Sequence, residues 1–273
     1  MEDTSTLIIR NSKFTTIPSR DSLLGCTSII LVNQSNFIIT NATVIFIHPI
    51  YPGDVECEIY VQDNAKANIT YSTVQTGQVV GLGNSVIHVK NSTLTTTTSW
   101  DKFSGVATSD NSTAEIEKST MDVAFVGANS TVSIKNSVIG WINIEAENSP
   151  DKSTINIATS KIGQISAWEA TKIYVEDSTV KWLNAWSDAD ILLVDCHVKN
   201  FQIHGDPKLL VGWNLPLFGL VKMPYTWIPY VQLTVAILIC VIIVIALGVL
   251  LRKRARKKPD SNEKIKIKIK PPY

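Results

Sequence analysis

The chain has 273 residues, 25 Lys/Arg against 24 Asp/Glu, a formal charge of +1, 45% apolar residues and four cysteines. The balance hides a split: ten of the basic and two of the acidic residues lie at or beyond Arg252, leaving 15 against 22, a net of −7, on residues 1–251. With no basic groove and no aromatics interleaved with Lys/Arg, this excludes nucleic acid as a partner.

From residue 7 a short pattern recurs: apolar, any, apolar, any, Asn/Asp-like, Ser-like, any, apolar. Its first copy is Leu7-Ile8-Ile9-Arg10-Asn11-Ser12-Lys13-Phe14. Taking the second apolar residue as anchor, the copies sit at Ile9, Ile39, Ile69, Val89, Ile116, Ile134, Ile157, Val175 and Leu193. Three residues on come Ser12, Ala42, Ser72, Ser92, Ser119, Ser137, Ser160, Ser178 and Cys196, all small. Five residues on come Phe14, Val44, Val74, Leu94, Met121, Ile139, Ile162, Val180 and Val198, all apolar. Recurrence of this kind marks a stacked architecture.

The alternation within each copy has period 2, which predicts strands with one buried face. Anchor spacings run from 30 down to 18 residues. Eighteen is too short for a hairpin with its own core, but it fits one winding of a coil whose strands stack parallel on the next. The later copies carry a second strand. Its inward pairs are Ile142/Ile144, Ile165/Ala167, Leu183/Ala185 and Phe201/Ile203, with Asn143, Ser166, Asn184 and Gln202 expected to face out. Two residues after the anchor stand Asn11, Asn41, Tyr71, Asn91, Lys118, Asn136, Thr159, Asp177 and Asp195. Asn and Asp tolerate left-handed backbone, so a bend is predicted here. Variable spacing implies insertions at one place per winding, such as residues 147–151.

With this register the chain resembles the right-handed parallel β-helix families, the pectin-lyase-like and periplasmic copper-site-maturation-like repeats, over roughly residues 7–205. The resemblance is architectural and rests on no catalytic motif. It implies an all-β fold, a right-handed parallel β-helix of about nine coils, followed by a single transmembrane α-helix.

Enzymes of that fold cleave acidic polysaccharides. The acidic candidates here are Glu115 with Glu117, Glu176-Asp177, and Asp188 with Asp190. None recurs on adjacent windings beside a basic partner, and His204-Gly205-Asp206 reads as a turn. All are assigned to solvated surface, and no catalytic residue, metal ligand or cofactor is assigned. Trp141 and Trp182 lie seven residues after their anchors, and Trp100, Trp168 and Trp186 eleven after. Both registers are expected to face out, with Trp168 and Trp186 stacked on neighbouring windings. Such a strip is either a surface for sugar rings or a protein partner, or cross-strand packing covered by the segment Leu209 to Trp227 folding back as a cap. The candidate binding residues are therefore Trp141, Trp168, Trp182 and Trp186.

Asn33, Asn41, Asn68, Asn91, Asn111 and Asn129 are Asn-x-Ser/Thr acceptors, although a Ser/Thr/Asn-rich composition produces such triplets by itself. Cys26 and Cys57 fall at nearly matching places, but counting from the anchors sets them on opposite sides, which favours free thiols over a disulfide. Cys196 takes a serine's place and reads as a packing residue.

The run Val235 to Leu251 is apolar without a break, and with Tyr230 to Thr234 it reaches bilayer-spanning length. Trp227 and Tyr230 sit at its rim, and Arg252-Lys253-Arg254-Ala255-Arg256-Lys257-Lys258 follows at once. The positive-inside rule makes this end cytoplasmic and the strand-rich part external. The competing tail-anchored topology would carry those six cations to the wrong side. Beyond them, Lys264 to Lys270 alternates Lys and Ile and is expected to lie against anionic lipid headgroups, with a cytosolic protein-binding motif as the rival. The start has no basic or apolar signal region and no cap before the first copy, so a longer upstream sequence is expected.

The expected organisation is thus 1–207 parallel β-helix ectodomain, 208–227 cap and juxtamembrane linker, 228–251 transmembrane helix, and 252–273 basic cytoplasmic tail. The expected function is that of a membrane-anchored cell-surface structural or binding protein. Its expected partners are the bilayer, anionic headgroups, and a polysaccharide or envelope protein. The alternative is a surface polysaccharide lyase or glycoside hydrolase with its active coils in a missing N-terminal region.

Overall fold

The computed structural model describes residues 4–16, 28–46, 58–75, 77–96, 104–144, 153–168, 171–215 and 219–256. Trp100, Cys26, Cys57, residues 147–151 and the tail from 257 lie outside them. The fold is mostly β, with predominantly parallel sheets and one apolar C-terminal helix. Two units separate by internal packing, Met1–Pro224 and Tyr225–Tyr273.

The first sheet has 11 strands: nine carry the sequence pattern, and a tenth, Lys208–Leu215, continues their parallel pairing. They begin at Thr6–Arg10, Asn36–Thr40, Lys66–Thr70 and Val86–Lys90, and continue through Thr113–Glu117, Thr131–Lys135, Thr154–Ala158, Lys172–Glu176 and Asp190–Val194 to Lys208–Leu215. Their parallel register pairs anchor with anchor: Ile9 with Ile39, Ile39 with Ile69, Ile69 with Val89, and so on to Val175 with Leu193. All nine anchors are buried. A further partner, Val211, stacks on Leu193, so the strand pattern runs one step beyond the nine copies. The segment from Leu209 does not fold back over the tryptophans. Lys208–Leu215 extends the first sheet, and Gly219–Pro224 pairs antiparallel with it.

All nine residues two after the anchor have positive φ, between 45° and 52°. That includes Tyr71, Lys118 and Thr159, for which the conformation is costly. The next residue explains how the bend is held. The amide of Ser72 donates to Ser92 Oγ (3.1 Å), and Ser92, Ser119 and Ser137 donate likewise to the Oγ of Ser119, Ser137 and Ser160. Each hydroxyl in turn donates to the carbonyl two residues before it, as Ser92 does to Lys90 (2.8 Å) and Ser137 to Lys135 (2.8 Å). A buried amide at the bend therefore finds its partner in the neighbouring strand, which is why serine predominates in this column; Ala42, too, donates its amide to Ser72 Oγ (3.2 Å). Cys196 joins it: its thiol donates to the carbonyls of Val194 (3.1 Å) and Val175 (3.3 Å). It is thus a hydrogen-bonding residue as well as a packing one, and burial pushes its pKa up.

A second row of left-handed residues precedes seven of the first-sheet strands: Asn33, Asp63, Gly83, Asp110 with Asn111, Asn129, Ser187 and Gly205. Buried small residues follow one or two on, among them Ser35, Ala65, Ser85, Ser112, Ser130 and Ala189. The pattern around the anchors gave no warning of this second turn.

The second sheet has two regimes. Up to residue 108 each pass supplies two separate short strands, such as Thr93–Thr95 and Gly105–Thr108. Both pair with the single longer strand Thr120–Val126, the first with its start and the second with its end. Thereafter one strand does both jobs: Val138–Ile144, Lys161–Ala167, Thr179–Trp186 and His197–His204 stack parallel in turn. Each is bent, because pairing skips Asp122, Gly140, Gly163, Lys181 and Lys199, and the inward phase shifts there by one residue. A Cβ at Gly140 would lie 2.6 Å from the Asp122 carbonyl oxygen, and one at Gly163 would overlap the Gly140 carbonyl. The bend needs glycine at these points.

The helix Ile228–Arg256 follows the three-residue 3₁₀ turn Tyr225–Trp227. Its segment Ile228–Leu250 is long and apolar enough to cross a membrane. The exposed side chains from Leu233 to Leu250 are apolar around its whole circumference, which a helix packed on one side against a soluble core would not need.

Candidate functional site

The outward face of the bent strands forms the candidate surface. Three columns run across them, fixed by strand register. The first is Val123, Trp141, Gln164, Trp182 and Asn200; the second is Phe125, Asn143, Ser166, Asn184 and Gln202. The third is Trp168, Trp186 and His204, in which Trp186 pairs with His204. From Trp141 onward the columns contain no formal charge apart from what His204 takes on protonation.

The tryptophans are placed as the alternation predicts, but unequally: Trp168 is 42% and Trp182 37% exposed, whereas Trp141 and Trp186 are half-buried. Trp168 and Trp186 stack at 4.1 Å with planes 1° apart, and His204 continues the stack at 5.4 Å and 12°. His204 is thus part of an aromatic stack, and the turn expected of its triplet belongs to Gly205 (φ 76°). Rings stacked on one another present edges to solvent and spend the faces on which a sugar would lie. Of the four indoles, Trp182 retains the most accessible surface without such a stacking partner. Trp141 packs edge-on to Phe125 (5.8 Å, 69°) and donates from Nε1 to Ser166 Oγ (3.1 Å), to which Gln164 Nε2 also donates (2.8 Å).

These contacts correct one expectation. Asn143, Ser166 and Asn184 sit in outward register yet are buried, at 4%, 3% and 9% exposure, and only Gln202 is open. The larger side chains of the flanking columns close over the middle one. It is a polar trough roofed in part by indole and amide groups, and Asn184 Oδ1 is buried in it with no hydrogen-bond partner. The inward side also differs at its end. Ile142, Ile144, Ile165, Ala167, Leu183 and Ala185 are buried as expected, but Ile203 is 40% exposed and Phe201 half-buried at His197–His204, which among the described residues is the last strand of this sheet.

The carboxylates have basic neighbours that the sequence pattern did not reveal. On the outer face of the first sheet Glu115 meets His88 Nδ1 (2.9 Å), and Glu117 meets Lys90 Nζ (2.7 Å) and Lys118 Nζ (3.6 Å). The paired strands Val86–Lys90 and Thr113–Glu117 place them opposite one another, 27 residues apart. Lys90 holds the Glu117 carboxyl below the usual range and is itself raised. Asp190 pairs with Lys208 (3.3 Å). Apart from Lys118 with its chain neighbour Glu117, these are solvent-exposed cross-strand contacts. Among the described residues no group of three or more His, Cys, Asp or Glu is placed to hold a metal ion.

Of the acceptor asparagines, Asn33, Asn41, Asn111 and Asn129 are exposed and Asn68 and Asn91 half-buried. Asn41 donates from Nδ2 to Asn11 Oδ1 (2.9 Å) across the turn row. Asn33, Asn111 and Asn129 belong to the second left-handed turn, so the chain's own turn chemistry already accounts for their presence.

No protein-family model, curated protein or solved structure matches the chain.

Proposed function

We propose that this chain is a membrane-anchored structural and binding protein of the cell surface. On this reading the stacked strands are a right-handed parallel β-helix, a stiff rod about 40 Å long at about 4.8 Å per winding. The apolar helix crosses the bilayer, and the cluster from Arg252 to Lys258 keeps its C-terminal end in the cytoplasm, where anionic headgroups meet the tail. The rod's working surface is the uncharged aromatic and amide face, and its ligand is a neutral glycan.

The observation that carries this reading is the trough of Asn143, Ser166, Asn184 and Gln202, lined by the indoles and amides of the columns beside it. Neutral sugars are recognised by a flat aromatic face for their C–H side and by amides for their hydroxyls. Trp182, flanked in its column by Gln164 and Asn200, offers both. Asn184 Oδ1 is an acceptor still wanting a donor. Glu115 and Glu117 are engaged with His88, Lys90 and Lys118 and Asp190 with Lys208, which counts against the lyase or hydrolase alternative.

A glycan array probed with the full chain in detergent tests it. Binding of neutral glycans that is lost in Trp182→Ala and kept in Glu117→Gln supports the reading. Binding that ignores Trp182, or turnover of acidic polysaccharides, overturns it.

A further inference from the structure

The column Trp141, Gln164, Trp182, Asn200 alternates between indole and amide. Strand register fixes the order: Trp141 pairs with Gln164, Gln164 with Trp182, and Trp182 with Asn200. The four strands lie side by side and parallel, so neighbours in the column stand one strand spacing apart, about 4.8 Å. Like chemistry therefore recurs at every second strand, a period of about 10 Å.

The sheet itself holds this order in place. Gln164 donates from Nε2 to Ser166 Oγ (2.8 Å), and Trp141 donates from Nε1 to the same oxygen (3.1 Å). Asn200 donates from Nδ2 to the Lys181 carbonyl (3.1 Å). Both amides are thus fixed through their nitrogens, and among the described residues no hydrogen bond uses Gln164 Oε1 or Asn200 Oδ1. Trp182 is 37% exposed and the other three are half-buried. Side chains fixed beforehand lose little freedom when a ligand arrives.

A single sugar ring has no use for such a period, but a chain of rings does. In an extended β-1,4-linked hexose chain each ring is turned over relative to the last and advances by about one strand spacing. Every second ring is then related to the first by translation alone. Trp141 and Trp182 would meet the same C–H face of the sugar. The rings above Gln164 and Asn200 would bring hydroxyl donors to the two carbonyl oxygens. An α-1,4-linked chain curls and leaves this register.

We propose that the ligand is a linear β-1,4-linked polysaccharide that crosses the strands along this column, one hexose to each strand from Val138–Ile144 to His197–His204. The site then holds about four rings over ~14 Å. This rests on the neutral-glycan reading above and adds to it the linkage, the direction and the length.

The experiment is a calorimetric titration of the full chain in detergent. Its ligands are β-1,4-linked oligomers of glucose, mannose and N-acetylglucosamine, from the monosaccharide to the hexamer, with α-1,4-linked glucose oligomers of the same lengths. For one of the β-linked series, affinity is expected to climb to about four rings and level off there, with the α-linked series bound about ten-fold more weakly. Trp182→Ala should weaken the tetramer about ten-fold, and Asn200→Ala should weaken it less. The length series uses the parent chain, so the test stands whether or not a variant folds. Affinity that stops rising at one ring, or equal binding of the two linkages, would overturn the proposal and leave the neutral-glycan reading standing. So would a plateau that survives both substitutions, since the chain would then lie elsewhere. Absence of binding by every neutral glycan, on the array as in the titration, sinks the earlier reading and this one with it.

Discussion

The strands before residue 108 and those after residue 120 solve the same packing problem by different means. Early in the chain, anchors are 20–30 residues apart and each pass turns the corner of the second sheet through a break between two short strands. Later, spacing falls to 18–23 residues and one continuous strand takes the corner by bending. The break spends residues and has its own tight point at Gly105, where a Cβ would overlap the Val123 carbonyl. The bend saves residues but places carbonyl oxygens of adjacent strands where a Cβ would stand at Gly140 and Gly163. Lys181 and Lys199 take the same place in the last two bent strands, so the demand for glycine is confined to Gly140 and Gly163.

Gly163→Val should be the sharpest test of that contrast. The added side chain overlaps backbone, which cannot rotate away, so destabilisation of about 3 kcal/mol or more is expected in denaturant unfolding. A stable variant would mean that the bend has slack. Ile134→Ala, at a fully packed anchor in the later half, should cost about 2–5 kcal/mol, and Ile69→Ala in the earlier half a similar amount. Equal losses would show that the halves differ at the corner and not in the core. Ser137→Ala leaves the Ser119 amide without its acceptor and should cost about 1–3 kcal/mol. A two-residue insertion between Thr96 and Ser104, where the early style already carries extra chain, should cost under about 1 kcal/mol.

The smallest effect belongs to the seam between the halves, the pair Lys90–Glu117. Lys90 lowers the Glu117 pKa, so this contribution is present above pH 4.5, the ordinary value for glutamate, and is lost as pH falls through the lower folded value. The raised Lys90 works in the opposite sense: its share is present below pH 10.5 and lost as pH rises through the higher folded value. Glu117→Gln should flatten the acid limb of a stability–pH curve, and raising salt should do the same in the parent.

The first sheet was legible because one burial pattern repeats with one bend residue, so Ile9 and Leu193 could be assigned the same role from spacing alone. The column Ser72 to Ser178 was visible as small residues, but its hydrogen bonds were not, since size and bonding coincide in serine. The second turn was missed although Asn84-Ser85, Asn111-Ser112 and Asn129-Ser130 mark it, because attention to the anchors placed it at the end of each copy. In the candidate site, strict alternation set Asn143, Ser166 and Asn184 outward and was correct about register. It misjudged exposure, because burial on that face depends on Trp141, Gln164 and Trp186 in neighbouring strands. Stacking of Trp168 on Trp186 followed from spacing, but what it costs the surface, two indole faces, needed ring geometry. The ion pairs at His88 and Lys90 escaped because their partners lie one irregular spacing away.

The hairpin of Lys208–Leu215 with Gly219–Pro224 has a mechanical consequence. Tension applied at the C-terminal end of Gly219–Pro224 loads that strand first, and its antiparallel bonds to Lys208–Leu215 open one after another, as a zipper does. Each further step back along the chain releases 18 residues, or about 60 Å of chain. Load from that end therefore reaches the strands that carry His204, Trp186 and Trp182 before those nearer the N-terminus.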